Sequence, residues 1–183
     1  GNEVRGVGLN FAHAGGHHLL HLVGNREFRF VLADARSEVA MRAALADVDC
    51  IMPLAAVVGM PACDREPDRA RAVNVESIRL LMRLRAKTQR VIFPNTNSGY
   101  GTAAPGVVCT EETTLAPISL YAKLKAEAEA IVMEGENTVS LRLATVFGVS
   151  PRMRRDLLVN DFVWRAMKDR RIDVVNGHNP TGA

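Results

Sequence analysis

The sequence has few cysteines, few aromatic residues and no long apolar run. Its 183 residues include 3 cysteines, Cys50, Cys63 and Cys109, with no CxxC pair, and aromatic residues make up 5%. An odd number of widely spaced cysteines favours a reducing compartment over a disulfide framework, so we expect free thiols and a cytoplasmic location. The longest nearly apolar run, 50–61, is too short to span a bilayer, so we expect no membrane segment.

An excess of one charge is also missing. The formal net charge is +3 from 23 basic and 20 acidic residues, and only two short stretches, 152–155 and 168–171, concentrate positive charge. No stacking aromatic motif accompanies them, so we do not expect nucleic-acid binding. Either stretch is a solvated helix face or a loop that contacts an anion.

Four histidines crowd the segment AHAGGHHLLH, and two of them, His17 and His21, have the i,i+4 spacing of a helical metal site. Neither a carboxylate nor a cysteine accompanies them. We therefore expect a loop and a helix start here and no metal site.

Short apolar runs rich in Val and Ile alternate with helical patterns along the chain. This alternation predicts a doubly wound α/β fold with a parallel sheet. The predicted strands are 28–32, 49–54, 90–93, 138–143 and 172–175, and the predicted helices are 37–46, 68–87, 120–134 and 156–168. In such sheets ligands bind beyond the carboxyl ends of the strands, so the informative residues are those that follow each strand.

Tyr121 and Lys125, in PISLYAKLK, lie four residues apart at the start of a predicted helix, and this spacing places both side chains on one face. A nearby ammonium favours phenolate, so Lys125 would lower the tyrosine pKa towards the range of a general acid or base. The alternative is an ordinary helical pair half covered by the core. Thr96 favours the first interpretation, because it follows a predicted strand and can bond a substrate oxygen that Tyr121 protonates.

Several segments together resemble the extended short-chain dehydrogenases/reductases, specifically the NAD-dependent epimerase/dehydratase family that acts on nucleotide sugars. VIFPNTNSGYG is similar to the family's strand with its catalytic Ser/Thr, and PISLYAKLKAEAE is similar to its YxxxK helix. DCIMPLAA resembles the strand that ends in a small-residue turn. LADAR, VNVES and VSLRLATVFG match further segments in the same order, over roughly residues 28–150.

The resemblance implies a role for each matching residue. Tyr121 would be the acid/base, Lys125 the residue that tunes it and binds ribose, and Thr96 the residue that orients the reacting oxygen. The implied NAD contacts, with NADP left open, are Asp34, Ala35, Leu54, Ala55, Ala56, Asn74, Tyr121, Lys125 and Ala144. The implied nucleotide-sugar contacts are Asn97, Thr145, Arg155 and Asn160.

The implied reaction is proton removal from a sugar hydroxyl by Tyr121 while hydride passes to NAD. The family's dehydratases usually have an Asp-Glu pair after the Ser/Thr, because eliminating water needs its own acid and base. Asn97 and Ser98 occupy those positions here. This favours an epimerase or oxidoreductase, and leaves a nucleotide-sugar reductase, a 4,6-dehydratase or a non-catalytic module of the same fold as alternatives.

The phosphate-binding fingerprint of the family, GxxGxxG at a helix N-terminus, is missing from these 183 residues. EVRGVGLNF looks like the family's second strand and the loop after it. We therefore expect the sequence to start about 25 to 30 residues into the fold, without the first βα unit and the central strand.

The resemblance also leads us to expect that the sequence stops before most of the family's carboxyl-terminal substrate domain. We assign residues 1–150 to an incomplete NAD-binding domain and 151–183 to the start of the substrate-binding region. The 183 residues alone should bind NAD weakly or not at all. A homodimer through the helices 68–87 and 120–134 is expected of the full-length protein.

Overall fold

The computed structural model describes residues 3–9, 19, 21–22, 24–102, 106–151 and 153–173. Parallel strands alternate with helices through these residues, as predicted. The strands are β1 (Val4–Gly8), β2 (Phe28–Leu32), β3 (Cys50–Ile51), β4 (Arg90–Thr96) and β5 (Thr138–Leu143). The helices are α1 (Glu38–Leu45), α2 (Met60–Arg65), α3 (Pro67–Arg71), α4 (Ser77–Leu84), α5 (Leu120–Met133) and α6 (Leu158–Asp169).

The described strands form two separate parallel sheets. β1 pairs with β2, and β4 pairs with β3 on one side and β5 on the other. Within the described residues no strand of one sheet is hydrogen-bonded to a strand of the other. Arg5 on β1 connects them, since its guanidinium donates to Ala46 O at 2.9 Å and Ala44 O at 3.2 Å at the end of α1. A cation there also offsets the partial negative charge of the helix C-terminus.

The main core lies between one face of the three-stranded sheet and helices α1, α4 and α5. Side chains alternate along β4, so Val91 and Phe93 both point into this core and are almost completely buried. The other buried members are Met41, Leu45, Ile51, Ile78, Leu81, Ala128 and Val132. On the opposite face of β5, Val139, Leu141 and Leu143 are each about two-fifths exposed.

Serine caps fix two of the helix starts. Ser119 Oγ accepts from Ala122 N at 3.2 Å and begins α5, and Ser37 Oγ accepts from Ala40 N at 3.4 Å and begins α1. Each helix begins within a residue of its predicted start.

The long helix predicted for 68–87 differs from the structure. It consists of α3, a π-helical turn (Ala72–Glu76) and α4, so it ends at Leu84. Proline at the first position of α3 suits a helix start because its missing N–H would have no helical partner there. The turn contains Asn74 and Val75, both buried.

Other predicted boundaries also need correction. β3 covers only Cys50–Ile51, not 49–54, because the chain leaves the sheet after two paired residues. α2 was not predicted, and Ile172 and Asp173 are not in a strand. The rest of that predicted strand lies outside the described residues.

Candidate active site

Tyr121 and Lys125 both lie on α5, one turn apart, where the helix packs on β4 and on the 3-10 turn Asn97–Tyr100. Ala122, Leu124 and Ala128 on the same helix are almost completely buried. Lys125 is drawn into the interior with them and is only 7% exposed. Tyr121 is half-buried at the amino end of the helix.

The Lys125 ammonium is held against β4. Its Nζ donates to Pro94 O at 2.8 Å and lies 3.9 Å from the centre of the Phe93 ring. Burial lowers the pKa of Lys125 to about 8, although the carboxylate of Glu129 acts in the opposite direction. An ammonium with a pKa in this range is a proton donor that titrates close to neutral pH.

The environment of Tyr121 differs from the sequence-based expectation. Burial raises the pKa of Tyr121 above its ordinary value, and Cys63 adds to that rise. The charge that lowers the Tyr121 pKa is Arg154, whereas Lys125 bonds to the backbone of β4. The spacing of Tyr121 and Lys125 was therefore not enough to predict which cation acts on the phenol.

Thr96 ends β4 and begins the 3-10 turn. Its Oγ1 accepts from Ser98 N at 3.2 Å and donates to Ser98 Oγ at 3.1 Å. The neighbouring Asn97 is half-buried. Because Pro94 O receives the Lys125 bond two residues earlier, Thr96 lies at the same end of β4 as the ammonium.

The segment after β3 is small and exposed, and Asn74 holds its end. Leu54 and Ala55 are exposed and Ala56 is half-buried. The Asn74 amide accepts from Val57 N at 2.7 Å and donates to Val57 O at 2.9 Å. The buried Cys63 thiol also donates to Val57 O, at 3.3 Å. Asn74 therefore fixes the backbone just beyond the predicted cofactor turn.

Asp34 follows β2 and forms a close ion pair with Arg36. Arg36 Nη2 lies 2.6 Å from Asp34 Oδ2, and Arg36 N donates to Oδ1 at 2.8 Å. These bonds hold the pKa of the Asp34 carboxyl below its ordinary value. Ala35 packs against the main core.

The residues after β5 that were predicted to contact cofactor (Ala144) or substrate (the others) separate into two kinds. Ala144 is exposed, Thr145 is half-buried, and Arg155 is exposed with its guanidinium 4.9 Å from the centre of the Trp164 ring. Asn160 is buried, and both ends of its amide bond to backbone: it accepts from Gly148 N and donates to Arg154 O, each at 3.0 Å. Its visible role is thus to hold the chain after β5.

A buried ion pair next to the site was not predicted. Glu129, one turn after Lys125 on α5, pairs with Arg142 on β5, and Arg142 Nη1 donates to Tyr100 Oη at 3.2 Å. The signal was present in YAKLKAEAE, where a glutamate follows Lys125 at i+4.

A family model described as "NAD dependent epimerase/dehydratase family" matches residues 7–179. The chain belongs to this family. The parallel α/β architecture and the matching segments of the sequence agree with that assignment, and the resemblance stated above is confirmed.

Solved structures of similar fold include two nucleotide-sugar 4-epimerases and a dehydratase. The dTDP-glucose 4,6-dehydratase DesIV double mutant from Streptomyces venezuelae, with NAD and DAU bound, superposes with a TM-score of 0.79 at 23% identity, over 92% of this chain and 53% of that one. UDP-glucuronic acid 4-epimerase from Bacillus cereus, in complex with NAD, gives 0.76 at 22% identity, over 91% and 56%. UDP-N-acetylglucosamine 4-epimerase from Methanobrevibacter ruminantium M1 gives 0.72 at 20% identity, over 92% and 64%.

These likenesses establish the Rossmann-like fold. The epimerase/dehydratase chain described here spans little more than half the length of the first two structures. Within its described residues, the longest apolar helical stretch is too short to cross a membrane, and no group of three or more His, Cys, Asp or Glu side chains is arranged for a metal ion. His13, His17 and His18 lie outside the described residues.

Proposed function

We propose that this chain carries the acid/base site of an NAD-dependent epimerase or oxidoreductase that acts on a nucleotide sugar. The observation that supports it best is the placement of Lys125. A lysine that is 7% exposed costs free energy to bury, yet its ammonium lies one helical turn after Tyr121 and is bonded to the end of β4 beside Thr96. A buried ammonium in this position needs a functional reason.

The side chains around the site fit a nicotinamide dinucleotide by their donors and acceptors. An ammonium has three N–H donors, and one of those of Lys125 goes to Pro94 O, so the others suit the vicinal hydroxyls of a ribose. Ala55 and Ala56 leave the backbone after β3 accessible. Asp34 offers carboxylate oxygens to an adenine amine, in competition with Arg36.

Bound NAD would supply the hydride acceptor. In the proposed reaction Tyr121 takes the proton from the sugar hydroxyl whose carbon loses the hydride, and the hydroxyl oxygen becomes a ketone oxygen. Thr96 Oγ1, at the end of β4, orients that oxygen. Because burial raises the pKa of Tyr121, the phenol needs a nearby cation to act as a base, and Arg154 is the cation whose charge lowers that pKa.

The residues after Thr96 favour epimerisation or simple oxidation over dehydration. Asn97 and Ser98 carry no titratable group, and the Ser98 hydroxyl is bonded to Thr96. We assign residues 1–150 to the NAD-binding unit and 151–183 to the start of a substrate-binding region. The half-buried Thr145, just before that region, and the exposed Arg155, within it, are the side chains that would contact the sugar nucleotide.

The variant Tyr121→Phe in the full-length protein tests this proposal, because it removes only the phenolic oxygen. With NAD and a panel of nucleotide sugars, turnover should fall by about 10²-fold or more, since a positioned acid/base contributes roughly that much. The melting temperature should barely change. Turnover that equals the wild-type value would refute the role of Tyr121, and a wild-type protein inactive on every nucleotide sugar would refute the function.

A further inference from the structure

Glu129 on α5 is a charged carboxylate inside the protein. It is 6% exposed, and its Oε1 accepts from Ser140 Oγ at 2.6 Å and from Arg142 Nε at 3.1 Å, while Oε2 accepts from Arg142 Nε at 3.1 Å. Burial acts to raise its pKa, but the hydrogen bonds from Ser140, Arg142 and Asn95 outweigh burial and the pKa is lowered. The carboxylate therefore stays ionised at neutral pH.

The same ion pair extends to the turn after Thr96. Arg142 Nη1 donates to Tyr100 Oη and to Glu111 O, both at 3.2 Å, and the guanidinium lies 5.2 Å from the centre of the Tyr100 ring. Three segments of the site, namely α5, the 3-10 turn and the chain before α5, are thereby tied to β5 through a single guanidinium.

Lys125 and Glu129 lie at i,i+4 on the buried side of α5, so the ammonium and the carboxylate share one interior region. Several other titratable or charged groups face this region. They are Arg142 on β5, Tyr100 in the 3-10 turn and, next to Tyr121, Cys63 on α2 and Arg154 after β5. Glu129 is the carboxylate among them that acts on Lys125.

We propose that Glu129 is a positioning residue for Lys125: its carboxylate keeps the buried ammonium charged and, through Arg142, holds the Tyr100 turn beside the end of β4. The carboxylate is too deeply enclosed to touch substrate and acts through its neighbours. This inference rests on the proposed function only in what Lys125 is needed for, since the electrostatic effect of Glu129 on Lys125 is independent of the reaction.

Direct titration of Lys125 tests the effect of Glu129 on Lys125 without an activity measurement. In the full-length protein, the Lys125 side-chain NMR signal should titrate at about pH 8 in the wild type. In Glu129→Gln it should titrate about one pH unit lower or more, the usual effect of removing a nearby opposite charge. Glu127→Gln is the matched control: this glutamate is on the same helix but pairs with Arg71 and Arg79, so its loss should shift the Lys125 titration far less.

Two further variants separate charge from packing. Ser140→Ala removes a hydrogen bond and keeps the carboxylate, and Glu129→Asp keeps the charge on a shorter side chain. Both should leave Lys125 titrating close to the wild-type pH. If either lowers the titration as much as Glu129→Gln, or if Glu129→Gln leaves it unchanged, the proposal is wrong. Should Glu129→Gln not fold, Glu129→Met takes its place, since it also removes the charge and fills the enclosed space with an apolar side chain, and it should lower the Lys125 titration in the same way.

The activity measurement is read separately. If the proposed function holds, the high-pH limb of kcat should move to lower pH in Glu129→Gln by about the same amount as the Lys125 titration, and stay in place in Glu127→Gln. If the high-pH limb of kcat does not shift together with the Lys125 titration, Glu129 does not act on catalysis through Lys125. Absence of activity in the wild type would count against the proposed function, while the titration would still decide the role of Glu129.

Discussion

At the scale of single residues, Lys125 shows how much a buried charge depends on its partners. The ammonium donates to a backbone carbonyl and lies over the Phe93 ring, and the Glu129 carboxylate acts to raise its pKa. Burial nevertheless lowers this pKa to about 8. The spacing in PISLYAKLK predicted the pair of side chains. It did not predict that burial raises the pKa of Tyr121, because burial depends on the packing of helices and strands that are distant in the sequence.

The lowered pKa of Lys125 makes a prediction about stability. The unfolded chain binds the lysine proton more tightly, so the cost of burying the ammonium is fully present below the folded pKa and disappears as pH rises towards the unfolded value of about 10.5. Replacing Lys125 by Met should therefore raise the free energy of unfolding relative to wild type by about 2 kcal/mol more at about pH 7 than at about pH 9.5.

Urea unfolding at both pH values gives this difference directly. Comparing variant with wild type removes the contributions of Cys63 and Tyr121, whose raised pKa values make stability fall as pH rises. Lys123→Met on the exposed side of α5 is the control and should show no such change with pH. If the difference in unfolding free energy between Lys125→Met and wild type is the same at both pH values, Lys125 is not a buried charge.

At the scale of elements, the periodicity of apolar residues correctly predicted the helices and strands that have a regular pattern of buried and exposed positions. β2 and β5 have the predicted ends, and α1 and α5 differ from their predictions by a residue or two. β3 is shorter than its apolar run because pairing with β4, and not hydrophobicity, decides where a strand stops. The π-helical turn was not predicted, and the Asn74 side chain within it bonds to Val57, a residue far away in the sequence.

That contact gives a prediction about how the segment after β3 is held. Asn74→Ala leaves the N–H and C=O of Val57 without their amide partner, and should cost about 2–4 kcal/mol of unfolding free energy. Asn74→Asp keeps an acceptor for Val57 N but faces Val57 O with a second oxygen, so it should not restore stability.

Chemical denaturation measures both variants, with Asn25→Ala as the control. The Asn25 side chain accepts one exposed bond from Glu27 N, so its loss should cost less than about 1 kcal/mol. Similar losses at Asn25 and Asn74 would show that the Val57 contact contributes nothing special.

At the scale of the whole molecule, the described strands differ greatly in burial. β4 is paired on both sides and carries Val91 and Phe93 into the main core. None of the residues of β1 and β2 is buried, and Val4 and Leu32 are more than half exposed. The two sheets therefore have unequal stability, and the pair β1–β2 depends on few contacts such as that of Arg5 with α1.

Hydrogen exchange should separate the two sheets. Amides of β4 should exchange only through global unfolding and those of β1 and β2 much faster, through local opening, because little apolar surface holds the smaller sheet. Amides of β5 lie in the larger sheet and should resemble β4. Equal protection in β2 and β4, measured by NMR or mass spectrometry, would mean that both sheets unfold as one unit.

The π-helical turn also sets which side of the long helix faces which neighbour. Ala70 and Val75 are five residues apart, so in an ordinary α-helix their side chains would point to clearly different sides. Here both are fully buried against Cys63 and Leu124. The extra residue of a π turn brings them into line and lets Ile78 and Leu81 face the sheet instead. One extra residue thus changes which side of the helix is buried, between the cluster with Cys63 and Leu124 and the main core. Deleting Ala72 would therefore leave a continuous helix in which Ile78 and Leu81 no longer face the main core.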